Sequence, residues 1–334
     1  ILIGTISSYN LVLVLTLILN FLSAFFFAKR LLGSKKAALI ASLIFSASAF
    51  VQWHSMQNIE LAMVFWLPIF LFFLIRFLFE SSFKNALILS VFTALIFMTS
   101  FYLGFFSLTL VLCVWLFSFL YRCLVTKRFY LAGILNMLTF VILFMVFTLP
   151  STYVLVDYLG KPSVWSEYSK ENIFRSSLND IVAYGARPWD YLMPSVNHPI
   201  FVSSVRNFYQ YVKENYSYQF WSTFLPERAN YLTLTGMGLA AYAVWIVFRS
   251  WRRKQNFVSP DDLRNVSLLM LIAIIMFLVS MPALVTLKGF IFPMPSYFLF
   301  KLFPMFRVYA RAGVFVLLSV SFLAGYGLKF LLAK

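Results

Sequence analysis

Long apolar runs separated by short polar segments, most of them basic, set the pattern of this chain. A helix needs roughly 20 apolar residues to cross a bilayer, with about 17 as a lower limit. Runs of that kind lie at Leu11 to Ala28, Ala37 to Trp53, Ile59 to Ile75, Ala86 to Tyr102, Leu103 to Leu120, Phe129 to Leu149, Tyr231 to Phe248, Val266 to Val285 and Val314 to Leu332. The pattern predicts an all-α integral membrane protein with about nine transmembrane helices. Six helices fall in residues 1–150, a long loop follows over 151–230, and three helices fill 231–334. The second and third runs meet in a very short turn holding Trp53, His54, Gln57, Asn58 and Glu60, and the fourth and fifth form a tight hairpin around Phe101, Tyr102 and Gly104.

The connecting segments alternate in charge. Lys29, Arg30, Lys35 and Lys36 follow the first run, and Arg76 and Lys84 follow the third. Arg122, Lys127 and Arg128 follow the fifth; Arg249, Arg252, Arg253, Lys254 and Arg264 follow the seventh; Lys329 and Lys334 close the chain. The positive-inside rule makes these segments cytoplasmic. It puts the turns at His54 and Tyr102, the loop Ser151 to Asn230 and the segment Thr286 to Arg311 outside, with the C-terminus cytoplasmic. The same alternation places Ile1 outside, so an earlier span and external loop are expected ahead of it.

Composition agrees with a bilayer as solvent. Hydrophobic residues make up 62% of the chain, charged residues 11%, and 41 residues are Phe; mean hydropathy is +0.87. A soluble domain could not cover itself with so little polar surface. The net charge of +16 reads as topology and contact with anionic membrane lipids, not as a nucleic-acid footprint, because no basic stretch lies on a soluble domain. Cys113 and Cys123 form neither a disulfide framework nor metal-ligand spacing. No phosphate-cradling glycine loop, His-Glu-x-x-His pattern or nucleophile elbow occurs. The predicted spans are nearly free of ionisable groups, unlike the pathways of coupled carriers.

Polar chemistry gathers instead in three external clusters. The turn Trp53 to Glu60 offers His54 and Glu60, a carboxylate and imidazole that suit a divalent metal (Mg or Mn) or a sugar hydroxyl, or simply solvate an interfacial turn. The stretch Tyr184 to Pro199 offers Arg187, Asp190 and His198 among Tyr and Trp rings that suit pyranose faces; an interfacial aromatic belt is the alternative. The stretch Phe303 to Gly313 puts Arg307 and Arg311 outside, against the charge rule. Their i, i+4 spacing predicts one helical face and a guanidinium grip on phosphate, with headgroup snorkelling as the alternative.

Four segments carry a family resemblance over nearly the whole chain. They are Phe27-Ala28-Lys29-Arg30-Leu31-Leu32-Gly33 with Ala37 to Ala41; the His54 turn leading to Trp66-Leu67-Pro68; Tyr191-Leu192-Met193-Pro194-Ser195 with His198-Pro199; and the run Leu302 to Arg311. In order and spacing they resemble the bacterial YfhO-like branch of the GT-C superfamily of multi-pass membrane glycosyltransferases. The resemblance implies a GT-C-like fold in a bacterial plasma membrane, a polyprenyl-phosphate-linked sugar donor, and transfer to an envelope acceptor on the extracytoplasmic face. It implies an acidic catalytic residue in a first external loop, expected upstream of Ile1. It matches Glu60 by position to a second acidic motif, without an Asp-x-Asp pattern. In this scheme a carboxylate deprotonates the acceptor while Arg307 and Arg311, helped by Arg187, stabilise the leaving phosphate. A non-catalytic lipid-carrier flippase or envelope-assembly protein is the competing expectation.

Overall fold

A computed structural model describes residues 4–80, 82–125, 131–160, 178–194, 198, 200–215, 226–253, 258–287 and 290–333. Lys127, Arg128, Lys254, Lys334 and Ser195, Asn197 and Pro199, all singled out from the sequence, lie outside them.

The architecture is that of an all-α membrane protein. Its helices are α1 (Thr5–Leu32), α2 (Lys35–Ser46), α3 (Ala49–Gln57), α4 (Ile59–Ala62), α5 (Trp66–Phe79), α6 (Phe83–Thr99), α7 (Phe101–Val125) and α8 (Leu131–Gly160). They continue with α9 (Leu178–Tyr184), α10 (Pro188–Leu192), α11 (Val202–Asn215), α12 (Leu234–Arg253), α13 (Pro260–Ser280), α14 (Pro295–Leu302) and α15 (Gly313–Leu332). A small antiparallel hairpin pairs β1 (Leu284–Leu287) with β2 (Phe290–Pro293).

Local chemistry sets the breaks. Gly33 ends α1 in the left-handed conformation at φ 69°, where only glycine is unstrained, and Ser34 caps α2 by accepting from the Ala37 N–H. Ser82 caps α6 in the same way. Ser259 caps α13, with Pro260 at its first turn and Asp261 and Asp262 beside the positive end of its dipole.

Among the described residues five helical segments, not nine, are long and apolar enough to cross a membrane: Ile6–Leu32, Phe101–Val125, Leu131–Val154, Pro260–Ser280 and Tyr309–Leu332. The bent pair α2–α3, which turns by 42°, is a sixth if read as one span. The run at Ile59 to Ile75 is broken: α4 ends at Ala62 and α5 starts afresh at Trp66. At ~1.5 Å per residue, the 14 residues of α5 and 17 of α6 reach roughly 21 and 26 Å against an apolar core of ~30 Å. The stretch near Tyr231 becomes α12, whose C-terminal turns carry Arg249, Arg252 and Arg253. Val285 is in a strand, not the end of a helix. The 151–230 region is not one loop either. Helix α8 runs on to Gly160 with Pro150 inside it, and α9, α10 and α11 occupy much of the rest that is described.

Helix α15 is the centre of the bundle. Its span is 78% buried, against 22% for α1 and 28% for α8, and it packs on α2, α12 and α13. The peripheral helices turn apolar side chains outward: Leu15, Ile18 and Phe26 on α1, and Leu138, Ile142 and Met145 on α8, are exposed. Contiguous apolar surface of this kind is unfavourable in water and neutral in lipid.

The bundle has two chemically different ends. At one, Lys329 donates to Asp262, Arg122 to the Leu78 carbonyl and the Tyr326 hydroxyl to the Leu31 carbonyl, gathering the ends of α1, α5, α7, α13 and α15. The other holds the short turn after α3, the start of α7 and the approach to α15.

Candidate functional site

The second end is built from segments far apart in sequence. The 3-10 turn Pro226–Arg228 touches α3 and the 3-10 turn Tyr309–Ala312, and the latter also packs on α7, α9 and α13. Asn230 fixes this junction. Its Nδ2 donates to the Ala310 carbonyl at 3.0 Å, and it packs so closely on Gly313 that a Cβ there would run into its carboxamide. Glycine is required at the head of α15 for that approach.

At the centre of the junction Arg311 forms a bidentate pair with Glu227: Nε donates to Oε2 and Nη2 to Oε1, each at 2.8 Å. The guanidinium lies 4.4 Å from the Tyr102 ring centroid, adding a cation–π contact. Burial pushes the Glu227 carboxyl up, but the hydrogen bonds and charge of Arg311, with Arg307 behind, outweigh it and hold it below the usual carboxylate range. The fork–fork geometry explains why Arg, and not Lys, stands at 311.

Arg307 is different in kind. It is exposed, sits 5.8 Å from the Tyr184 ring centroid and makes no ion pair among the described residues. Its backbone N–H makes a long 3.5 Å contact to the Tyr102 hydroxyl. The single helical face expected for Arg307 and Arg311 does not form. Helix α14 stops at Leu302, Arg307 lies in an irregular segment and only Tyr309–Ala312 turns as 3-10 helix. Pro304 prevents helix from running through the segment. The two arginines still converge on one carboxylate, through the fold and not through helical spacing.

His54 lies on the same side. It is 1% exposed, its ring 4.4 Å from that of Phe50, and neither nitrogen has a hydrogen-bond partner among the described residues. Glu227 and Arg311 are within electrostatic reach of it. Glu60, four residues beyond Met56, is exposed in α4 and makes no ion pair among the described residues. No group of three or more His, Cys, Asp or Glu side chains that could hold a metal ion occurs among the described residues.

Arg187 and Asp190 are buried and bonded to one another and to their neighbours. Arg187 is 2% exposed; its backbone N–H donates to Asp190 at 2.7 Å, Nη1 to the Gly185 carbonyl and Nη2 to the Val182 carbonyl. Asp190 also takes Arg228, with Nε at 3.1 Å and Nη2 at 3.2 Å, and the Tyr209 hydroxyl. Burial and neighbouring Arg228 push the Arg187 guanidinium down to about 9, against the pull of Asp190. Burial pushes Asp190 up, opposed by Arg228 and the Arg187 N–H. This network ties α9, α10, α11 and the 226–228 turn together. It holds Glu227, next in the chain to Arg228, in front of Arg311. His198 is spent locally: its Nδ1 accepts from the N–H groups of Ile200 and Phe201.

Sequence reasoning missed Glu227 and Arg228. Both sit in a stretch without periodicity, and their partners Arg311 and Asp190 are 84 and 38 residues away. The available signal was Pro226 followed by adjacent acid and base, directly ahead of an apolar run. No protein-family model, curated protein or solved structure matches the chain.

Proposed function

We propose that this protein is a GT-C-like membrane glycosyltransferase of the YfhO-like kind, working on the extracytoplasmic face of a bacterial plasma membrane. It would move a sugar from a polyprenyl-phosphate donor to an envelope acceptor. The observation that supports this reading is the convergence of Arg307, Arg311, Glu227 and His54 at the end of the bundle away from most of its basic residues. A cation left unpaired at a membrane surface is suited to a phosphate carried by a lipid.

The roles divide by what each group already touches. Arg307, which makes no ion pair among the described residues, takes the phosphate. As the acceptor hydroxyl oxygen bonds to the anomeric carbon and gives its proton to a carboxylate base, the anomeric C–O bond to phosphate breaks, the electron pair leaves with the lipid phosphate and Arg307 faces the developing charge. Arg311 has Nε and Nη2 committed to Glu227, so it holds the junction and adds to the local positive field. Glu227, held ionised by that pairing, is a positioning residue. Arg187, Asp190 and Arg228 act one step further out, by setting Glu227.

The test is release of polyprenyl phosphate from a panel of polyprenyl-phosphate sugars by purified protein. Arg307→Ala should lower turnover by about a hundredfold or more, the scale of losing one transition-state donor, while protein yield stays unchanged because the side chain is exposed. Equal turnover by a folded Arg307→Ala protein removes the assignment. Absence of release with every donor and acceptor turns the reading to a lipid-carrier flippase or envelope-assembly protein.

A further inference from the structure

At the basic end a cleft of about 460 Å³ opens between α1, α5 and α13, lined by Arg30, Arg76 and Arg264, by Glu80 and Asn265, and by apolar residues including Phe72 and Phe79. Three guanidiniums and one carboxylate thus line the cleft. Each is propped on a ring: Arg76 on Phe72 at 5.1 Å and Arg264 on Phe79 at 4.3 Å at the cleft wall, and Arg30 at 6.0 Å from the centroid of Phe27, which packs behind Phe72. Their ion pairing is slight. Arg30 has no hydrogen bond or ion pair among the described residues, Arg76 reaches Glu80 only at 4.0 Å, and Arg264 gives one Nη2 to the exposed Asp261 at 3.0 Å. Arginines fixed by aromatic stacking with their donor edges unspent are prepared for an anion.

Asn265 adds a second observation. It is 6% exposed, and its Nδ2 donates to the Tyr326 hydroxyl at 3.1 Å, which in turn donates to the Leu31 carbonyl at 3.0 Å. A hydroxyl has one proton. Since Tyr326 spends it on Leu31, Asn265 must be the donor to Tyr326, and this fixes the orientation of the amide. The atom left over is Oδ1, an acceptor without a partner among the described residues. A buried unpartnered acceptor costs stability unless a ligand satisfies it.

We infer that this cleft is a binding site for an anionic phospholipid headgroup of the phosphatidylglycerol kind, its phosphate held by Arg30, Arg76 and Arg264 and its hydroxyl by the Asn265 carbonyl. The apolar wall of Leu31, Phe72 and Phe79 lies beside the exposed apolar side of α1, which suits the acyl chains. The inference stands apart from sugar transfer and holds for any membrane role of the chain.

The purified protein in detergent is titrated with phosphatidylglycerol, phosphatidylcholine, phosphatidylmethanol and inorganic phosphate, with bound lipid counted by native mass spectrometry. Phosphatidylglycerol should bind about tenfold or more tighter than phosphatidylcholine, and Arg30→Gln and Arg76→Gln should each remove about tenfold. Phosphatidylmethanol, which keeps the charge and lacks the hydroxyl, should bind several-fold more weakly than phosphatidylglycerol to the native protein, and Asn265→Ala should abolish that difference. Equal binding of phosphatidylcholine and phosphatidylglycerol, or no effect of either arginine, overturns the site. Inorganic phosphate binding as tightly as the lipid makes it a free-phosphate site and overturns the lipid assignment; no preference between phosphatidylglycerol and phosphatidylmethanol overturns the role of Asn265. Should Asn265→Ala fail to fold, the headgroup series on the native protein decides alone.

Discussion

Two arginines that look alike in sequence differ most by what lies opposite them. Arg311 is spent on Glu227 and Arg307 is not, so their substitutions should separate: Arg307→Ala acts on turnover, whereas Glu227→Gln acts first on stability. The sign follows from the depressed carboxyl. The contribution of the pair is fully present above about 4.3, the unfolded glutamate value, and is lost as pH falls through the lower folded value. A charge-assisted pair of this burial contributes about 1–3 kcal/mol. Melting of the wild type should therefore fall on acidification through that window by more than melting of Glu227→Gln; parallel curves would show that the pair adds no stability.

Asp190 is a harsher case. Replacing it by Asn leaves buried Arg228 without the carboxylate it pairs with, and should cost about 3–5 kcal/mol, read as a fall in melting temperature. Replacing Asp190 and Arg228 together by apolar residues of similar size should recover part of it; no recovery would mean that the network's hydrogen bonds, and not its charge balance, hold the region. The residue types were legible in the sequence, because Arg187, Asp190, Arg307, Arg311 and His54 all stood out in a chain this poor in charge. Their roles were not, because pairing across 38 or 84 positions leaves no local trace.

At the scale of elements, the apolar runs located most helices and the charged gaps located many breaks. The alternation failed where length decides. A run of apolar residues looks the same whether it forms one helix or two, and in Ile59 to Ile75 only Pro68, in the first turn of α5, signals that the helix is interrupted at Met63 to Phe65. Pairwise helix packing was also hidden, since it depends on where small residues meet. A Cβ on Gly327 would collide with the Leu239 backbone of α12, so the approach of α15 to α12 is set by that glycine. Gly238, also on α12, has nothing within 4 Å. Gly327→Ala should destabilise by about 1–3 kcal/mol through forced separation, while Gly238→Ala should be neutral or slightly stabilising. Equal melting temperatures for the two variants would place the contact outside the stabilising core.

The whole molecule is organised by a charge difference between its ends, and this was legible from sequence because topology depends on loop charge more than on tertiary detail. Lys29, Arg30, Arg76, Arg122, Arg264 and Lys329 collect at the ends of helices that the fold brings together, with Asp262 the buried counter-charge at 2.7 Å from Lys329. The opposite end has Arg307 and Arg311 but sets one of them against a carboxylate. Such an arrangement commits the protein to one orientation, and the sugar-transfer reading requires that the Arg307 end face outward. Two exposed positions report it: Met56, after the bend on the Arg307 end, and Phe83, at the start of α6 on the basic end. With Cys113 and Cys123 replaced by Ser, Met56→Cys should react with a membrane-impermeant maleimide in intact cells. Phe83→Cys should react only after permeabilisation. The reverse labelling would place the phosphate-facing arginine in the cytoplasm, and a donor presented on the extracytoplasmic face could then never reach it.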